Sequence, residues 1–276
     1  PRAKVADEAK ELAFRSFDAG YMKDAVKYLK IAHDQNPADF AVMLTLGKTH
    51  NILKQDEQAV QWFDLARRSP DEKVAVEAEE AYKSGIFPWF SDNQPLLWWS
   101  PDPRTLLFPD RLHVSRSLRK TLRRGTFRVT FDTAFDRVIR SCAEIPRAEQ
   151  DGTWITTGML RAYCELHRHG HAHSVEVWRD GELAGGLYGV AIGAAFYGES
   201  MFSRQPDASK IALVKLVDKL AGAGFLFIDC QVGTEHLISL GAESVDRSEF
   251  LELNSRAIET AVMIAWKQTD ESSMKR

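Results

Sequence analysis

Glu199, Asp229 and Gln231 are two carboxylates and an amide placed at the ends of short apolar runs. Side chains of these types can bind cations, exchange protons, and donate and accept hydrogen bonds. Residues 194–198 and 225–230 read as strands, because aromatic and aliphatic residues run unbroken between glycines. Between them, residues 207–220 repeat apolar side chains at helical spacing: Ile211, Leu213, Val214, Leu216, Val217 and Leu220. If the two strands are parallel neighbours, Glu199, Asp229 and Gln231 reach one edge of one sheet, where α/β folds collect their ligands. Acidic residues at strand ends also serve as caps or stay solvated, so the pattern alone leaves both uses open. Strand alternation sends Cys230 to the opposite face from its two neighbours.

The elements that must position this set follow from the same periodicities. Residues 171–179, 182–192 and 194–198 form a meander, with Asp180-Gly181 as a two-residue hairpin turn and Gly185-Gly186 as a bulge or close backbone approach. With the parallel strand 225–230, this predicts a mixed α/β (α+β) sheet with helices on its faces. Residues 127–131 read as a strand, 132–143 as a helix, and 157–169 as a helix ended by Gly170. Residues 233–240 read as a short helix closed by Gly241, and the chain from 248 as a helix followed by a frayed polar tail. Prolines and aromatic residues dominate 86–109 and predict a stiff, extended loop that presents large rings, Trp89 among them.

The first 84 residues have a different texture. Tyr21, Ala25, Tyr28, Ala32 and Pro37 recur as Gln55, Ala59, Trp62, Ala66 and Pro70, with the alanine pairs about 34 residues apart, the tetratricopeptide period. Residues 36–39 and 69–71 supply inter-repeat turns and helix caps. Residues 74–82 would then be a terminal helix covering the last open face. The expected organisation is a small all-α tetratricopeptide-like array over 1–84 and an α/β domain over 85–276. Such an array offers a concave protein-docking surface or acts as a spacer.

With 276 residues, 44% hydrophobic and 27% charged, the chain has the make-up of a globular protein. No apolar run reaches bilayer length and no basic-then-apolar leader opens the sequence, so the expected location is the cytoplasm, with no membrane partner. Cys142, Cys164 and Cys230 are odd in number and widely spaced, which predicts reduced thiols. His167, His169, His171 and His173 lack a further ligand at metal-site spacing, so no metal is expected. A net charge of −3 conceals a basic run, Arg104, Arg111, Arg116, Arg119, Lys120, Arg123, Arg124 and Arg128, opposed only by Asp110. On a helix, residues 116, 119, 120, 123 and 124 share one side and Leu118 and Leu122 the other, which suits phosphate contacts or a solvated face.

The blocks Gly198-Glu199-Ser200-Met201-Phe202-Ser203-Arg204, Asp229-Cys230-Gln231, residues 85–90, residues 98–104 and residues 152–156 resemble the signature blocks of the bacterial leucyl/phenylalanyl-tRNA–protein transferase family. They stand in that family's order from about 81 to 253. The resemblance implies an acetyltransferase-like (GNAT) fold. It implies transfer of leucine or phenylalanine, with methionine also plausible, from tRNA to proteins with N-terminal arginine or lysine, marking them for N-degron degradation.

By the same resemblance Trp89 and Trp154 form walls of the aminoacyl pocket, and Ser200 belongs with the substrate contacts. Arg116 first, then Arg119, Lys120, Arg123 and Arg124, face the tRNA acceptor stem. Glu199 is expected to attract the cationic acceptor terminus. Asp229 would orient the amine or accept its proton through Gln231. Leu187, Met201, Leu213 and Leu216 are expected to line an apolar slot for the transferred side chain. Leu187 stands where the family commonly has methionine. Residues 201–207 lack the glycines of a pyrophosphate loop, so coenzyme A is not expected and no cofactor is implied. The helical array stands where the family has a different N-terminal region. The alternatives are a repeat-based scaffold carrying an inert transferase module, and acyl transfer from coenzyme A.

Overall fold

The computed structural model describes residues 2–55, 57–59, 61–62, 81–89, 98–145 and 154–267. Its contacts divide the chain into two units, one of residues 1–77 with 86–100 and one of residues 78–85 with 101–276.

In the first unit, helices α1 (Arg2–Asp18), α2 (Met22–Gln35) and α3 (Phe40–Ile52) pack around Ala9, Ala13, Ala25, Leu29, Ala32, Val42 and Leu46. Ala25 and Ala32, predicted to sit at a close helix contact, are 0% and 2% exposed. Asp39 caps α3 through the Val42 N–H and also accepts from Lys10 Nζ at 2.7 Å. Of the predicted second copy, Ala66 and Pro70 lie outside the described residues, as do 69–71 and most of the predicted terminal helix. The unit also holds a short hairpin, β1 (Phe87–Pro88) against β2 (Trp98–Trp99), where Trp99 Nε1 donates to the Trp89 carbonyl at 2.8 Å.

The second unit is built on a seven-stranded sheet in the order β4-β5-β6-β7-β8-β3-β9. The strands are β3 (Arg104–Leu107), β4 (Arg128–Phe131), β5 (Ala172–Arg179), β6 (Glu182–Ile192), β7 (Ala195–Ser203), β8 (Phe227–Gln231) and β9 (Glu243–Val245). Among the described residues only β7 and β8 pair in parallel; the other pairs are antiparallel. The predicted mixed sheet is therefore present. The helices of this unit are α4 (Arg116–Arg124), α5 (Phe135–Glu144), α6 (Thr157–Arg168), α7 (Ala208–Ala223), α8 (Glu235–Ser239) and α9 (Arg247–Glu259).

Gly185 and Gly186 show how the layers close on the sheet. A Cβ on Gly185 would lie 2.6 Å from Ala208 Cβ on α7, whereas one on Gly186 would meet Val138 of α5 and the Val175 carbonyl on the other face. Successive residues of a strand face opposite sides, so α7 and α5 cover opposite faces. The hairpin between β5 and β6 turns through Asp180 (φ 52°) and Gly181 (φ 82°), as the Asp-Gly pair predicts.

Two expectations need correction. Strand β7 does not stop at Gly198 but runs to Ser203, because β6 continues to pair with it as far as Gly185–Ser203. The segment after α9 is not simply frayed as far as it is described. Val262, Ile264 and Trp266 alternate inward onto the core, and Trp266 stacks on His173 at 3.8 Å. Among the described residues, no helix is long and apolar enough to cross a membrane.

Gly189 is closed in by β7: an added Cβ would stand 2.2 Å from the Tyr197 carbonyl oxygen. Gly189→Ala should therefore destabilise the protein by about 1–3 kcal/mol in urea denaturation, the range for overpacking. An unchanged midpoint would show that β6 and β7 lie further apart.

Candidate active site

The site begins where β7 and β8 separate. Their parallel pairing runs from Ala195–Phe227 to Tyr197–Asp229, after which β7 continues with β6 alone. A shift in the β6–β7 register falls here, with Gly189 opposite Gly198 and Tyr188 opposite Ser200, so Glu199 is the extra residue. Strand β8 ends at Gln231, whose φ of +57° turns the chain out of the sheet. A cavity of about 280 Å³ opens in the gap, bounded by β6, β7 and β8, the face of α7, and α8 with the turn before it.

Leu187, Met201, Leu213 and Leu216 line this cavity, together with Ser200, Glu199 and Gln231. The predicted apolar slot and two of the three predicted polar groups are thus brought together. Sequence reasoning missed Phe196, Ile228, Cys230 and His236, which also line it. The first two were legible in principle as the inward positions of the two central strands. Trp154 is 9% exposed and packs edge-on to Tyr163, behind the cavity lining. Trp89 belongs to the first unit.

Asp229 is elsewhere. It is wholly buried on the sheet face opposite the cavity, and Cys230 faces the cavity in its place, which corrects the expected orientation of both. Regular alternation would carry Gln231 back to the side of Asp229, but its backbone is left-handed and the residue joins the cavity lining. Asp229 acts on this turn directly: its Oδ1 accepts the Gln231 backbone N–H at 2.9 Å. Both carboxylate oxygens also take a guanidinium bond from Arg104, from Nε at 2.9 Å and from Nη2 at 2.6 Å.

Arg104 is 0% exposed and lies over the Phe250 ring at 4.5 Å. It therefore leaves the basic surface run in which the sequence placed it. β3 pairs with β8 and Arg104 falls on the Asp229 side of the ladder, which brings the two together. The Gln231 Nε2 atom is buried without a hydrogen-bond partner among the described residues, and Gln231 is one of the residues that line the cavity. A buried donor left unpaired is costly, and a substrate oxygen would satisfy it.

Glu199 takes a different environment. Its carboxylate accepts from Tyr82 at 2.8 Å and Tyr163 at 2.6 Å, two buried phenols whose own oxygens are 2.7 Å apart. Burial pushes the Glu199 carboxyl up to about 7; the two tyrosine hydrogen bonds oppose the rise, and the Asp229 charge adds to it. Burial, and then the charge of Glu199, also raise both phenols well above their ordinary range. Tyr197 Oη donates to Asn254 at 2.6 Å, and Asn254 Nδ2 donates to the carbonyls of Tyr82 and Lys83, which fixes the segment carrying Tyr82. Cys230 is no nucleophile, because burial and then the Asp229 charge push its thiol far up. At the cavity, burial and then Lys210 lower His236 and favour its neutral form.

Helix α4 forms as predicted. Ser115 Oγ caps it through the Leu118 N–H, and Gly125 closes it at φ 63°. Arg116, Arg119, Lys120, Arg123 and Arg124 are exposed, with Leu118 buried. Among the described residues none of the five is held by a carboxylate, whereas Arg111 is paired with Glu243. Asp132 holds His173 at 2.8 Å, and His167 faces the Ala172 carbonyl and stacks on Phe135, so these histidines serve the core.

The site is an apolar cavity at the divergence of two parallel strands of an α/β domain, with Glu199 and Gln231 among its lining residues. The chain belongs to the leucyl/phenylalanyl-tRNA protein transferase family. Residues 106–255 match the family model of that description, and residues 79–102 match the one for its N-terminal domain. The family's N-terminal domain is therefore present, which corrects the expectation that the helical array stands in its place.

The chain is similar to the leucyl/phenylalanyl-tRNA–protein transferase of Stutzerimonas stutzeri (strain A1501), with 52% identity over 78% of this chain and 98% of that protein. It is similar to the enzymes of the same name from Pseudomonas fluorescens (strain Pf0-1), at 58% identity over 74% of this chain and 93% of that one, and Syntrophobacter fumaroxidans (strain DSM 10017 / MPOB), at 59% over 66% and 78%. Among solved structures it resembles a GCN5-related N-acetyltransferase from Kribbella flavida with a TM-score of 0.32, 11% identity, and coverage of 60% of this chain and 59% of that one.

Removing Arg104 would leave Asp229 charged and unpaired in the core. Arg104→Ala should cost about 3–5 kcal/mol in urea denaturation, and Arg104→Met with Asp229→Leu clearly less than the sum of the two single changes. Additive losses would mean that the pair is not coupled.

Proposed function

We propose that this protein transfers leucine or phenylalanine from its tRNA ester to the α-amine of proteins that begin with arginine or lysine. The supporting observation is the cavity itself: apolar along Leu187, Met201, Leu213 and Leu216, and polar where Glu199 and Gln231 enter it. The aliphatic wall suits an apolar aminoacyl side chain. Such a wall discriminates by only about 1–3 kcal/mol per methylene, so methionine is accepted as well.

Aminolysis of an ester needs the amine desolvated, unprotonated and close to the carbonyl, with the developing oxyanion stabilised. Gln231 Nε2 is the donor for the carbonyl oxygen, and Glu199 receives the cationic terminus. Asp229 works from behind the sheet: with both oxygens engaged by Arg104 and the Gln231 N–H, it positions the amide. Trp154 supports the pocket through Tyr163, and Trp89 is a further substrate-binding residue. The five cations of α4 contact the acceptor-stem phosphates. The architecture is GNAT-like, and residues 1–84 form a tetratricopeptide-like array that docks a protein partner. No coenzyme takes part in this scheme.

The direct test incubates leucyl-tRNA with an arginine-initiated peptide and the full chain. Labelled leucine should appear at the peptide terminus; a folded protein that transfers none would overturn the proposal. Arg116→Ala should weaken tRNA binding equally across tRNA sequences and lower the slope of log K against log salt by about 0.9. An unchanged slope in titrations across salt concentrations would remove Arg116 from the interface.

A further inference from the structure

Trp266 lies on the segment that follows α9, and its indole is in contact with three rings. It stacks on His173 at 3.8 Å with 10° between the planes, leans on Phe196 at 5.9 Å and 38°, and meets Phe225 edge-on at 6.4 Å. Of these, Phe196 also lines the cavity, beside Leu213, Leu216 and Ile228. Trp266 itself is not part of the lining, so it touches Phe196 from behind the wall.

Gly189 is what lets the rings lie there. A Cβ at that position would stand 2.5 Å from Phe196 Cε1 and 2.7 Å from Cζ, so the Phe196 ring covers the space that a side chain would otherwise take. His173 is the partner of Gly189 in the β5–β6 ladder, which sets the imidazole beside the same space. The imidazole is held in turn: its Nδ1 lies 2.8 Å from Asp132 Oδ2, and Asp132 Oδ1 accepts the Ser174 N–H at 2.8 Å. The segment that carries Trp266 is tied to the sheet where it begins, because the Ala194 N–H donates to the Ala257 carbonyl at 2.8 Å, and Val262 and Ile264 pack on the core before the indole is reached.

We infer that Trp266 is a positioning residue for the choice of donor: it backs Phe196 and so sets how large a side chain the cavity admits. This rests on the reading of that cavity as the slot for the transferred side chain. A wall in a close-packed interior yields only if there is room behind it. Phe196 has none, since the space behind is filled by an indole that His173 and Phe225 hold in place. A side chain longer than the slot therefore meets a fixed ring. Without the indole, Phe196 can recede into the vacated volume, and the slot lengthens. Leucine then loses contacts at its tip, whereas a bulkier aromatic side chain gains room.

Calorimetric titration of the full chain with the adenosine amides of leucine, phenylalanine and naphthylalanine reads the size preference without requiring transfer. Trp266→Ala should raise the affinity for the naphthylalanyl amide relative to the leucyl amide by about tenfold, the low end of what one methylene is worth in an apolar pocket. Trp266→Phe should return the ratio most of the way to the wild-type value, and Met263→Ala, at a 96% exposed position of the same segment, should leave it there. Loss of a merely structural residue would weaken all three ligands alike. An unchanged or lowered ratio in a Trp266→Ala protein that urea denaturation shows to be folded therefore overturns the inference alone. Trp266→Leu, which keeps an apolar side chain but leaves part of the void, is titrated in parallel and decides in the same way if the alanine variant does not fold. Failure of the wild-type chain to bind any of the three amides overturns the functional reading, and this inference with it.

Discussion

The ion pair of Arg104 and Asp229 is the constraint on which the site depends. Two charges are taken wholly out of water between β3 and β8, and that is tolerable only because the guanidinium fork meets both carboxylate oxygens. The carboxylate accepts one further bond, from the backbone N–H of Gln231, which lies in the left-handed region where a residue other than glycine is strained. The buried pair thus fixes where β8 leaves the sheet and which way the Gln231 amide turns. Exchanging the pair for apolar residues could keep the strands packed but would leave that turn unsupported.

The second organising feature is the end of the parallel pairing after Tyr197 and Asp229. Beyond it, β7 stays with β6 and β8 turns away, so the sheet opens while its neighbours remain paired. The extra residue in β7 at this point is Glu199, which faces both the cavity and the buried phenols of Tyr82 and Tyr163. Backbone irregularity, a half-buried carboxyl group and an apolar slot therefore coincide in one gap. A regular sheet would have closed it. The basic face of α4 adds a separate, solvent-facing feature, since its cations remain unpaired among the described residues and are free to meet phosphates.

Much of this was legible in the residues. The Asp180-Gly181 hairpin, the amphipathic pattern of α7 and the basic side of α4 each follow from local periodicity and turn chemistry, and all three stand in the structure. The apolar slot of Leu187, Met201, Leu213 and Leu216 was expected from the family resemblance, and the four residues line one cavity. What failed was the assumption of regular alternation through Asp229, Cys230 and Gln231. The positive φ of Gln231 and the bulge at Glu199 depend on long-range partners, and no local pattern encodes them. Arg104 was misplaced for the same reason: charge in a basic run reads as surface until a buried carboxylate across the sheet is known. Tyr82 and Tyr163, far apart in sequence, had no spacing that could have paired them with Glu199.

A structure of the protein with leucyl-adenosine joined by an amide in place of the labile ester tests the central claim most directly. The account predicts the leucyl side chain among Leu187, Met201, Leu213 and Leu216, with its carbonyl oxygen accepting from Gln231 Nε2. A ligand bound elsewhere with that cavity empty, or seated there with its carbonyl turned away from Gln231, would contradict it.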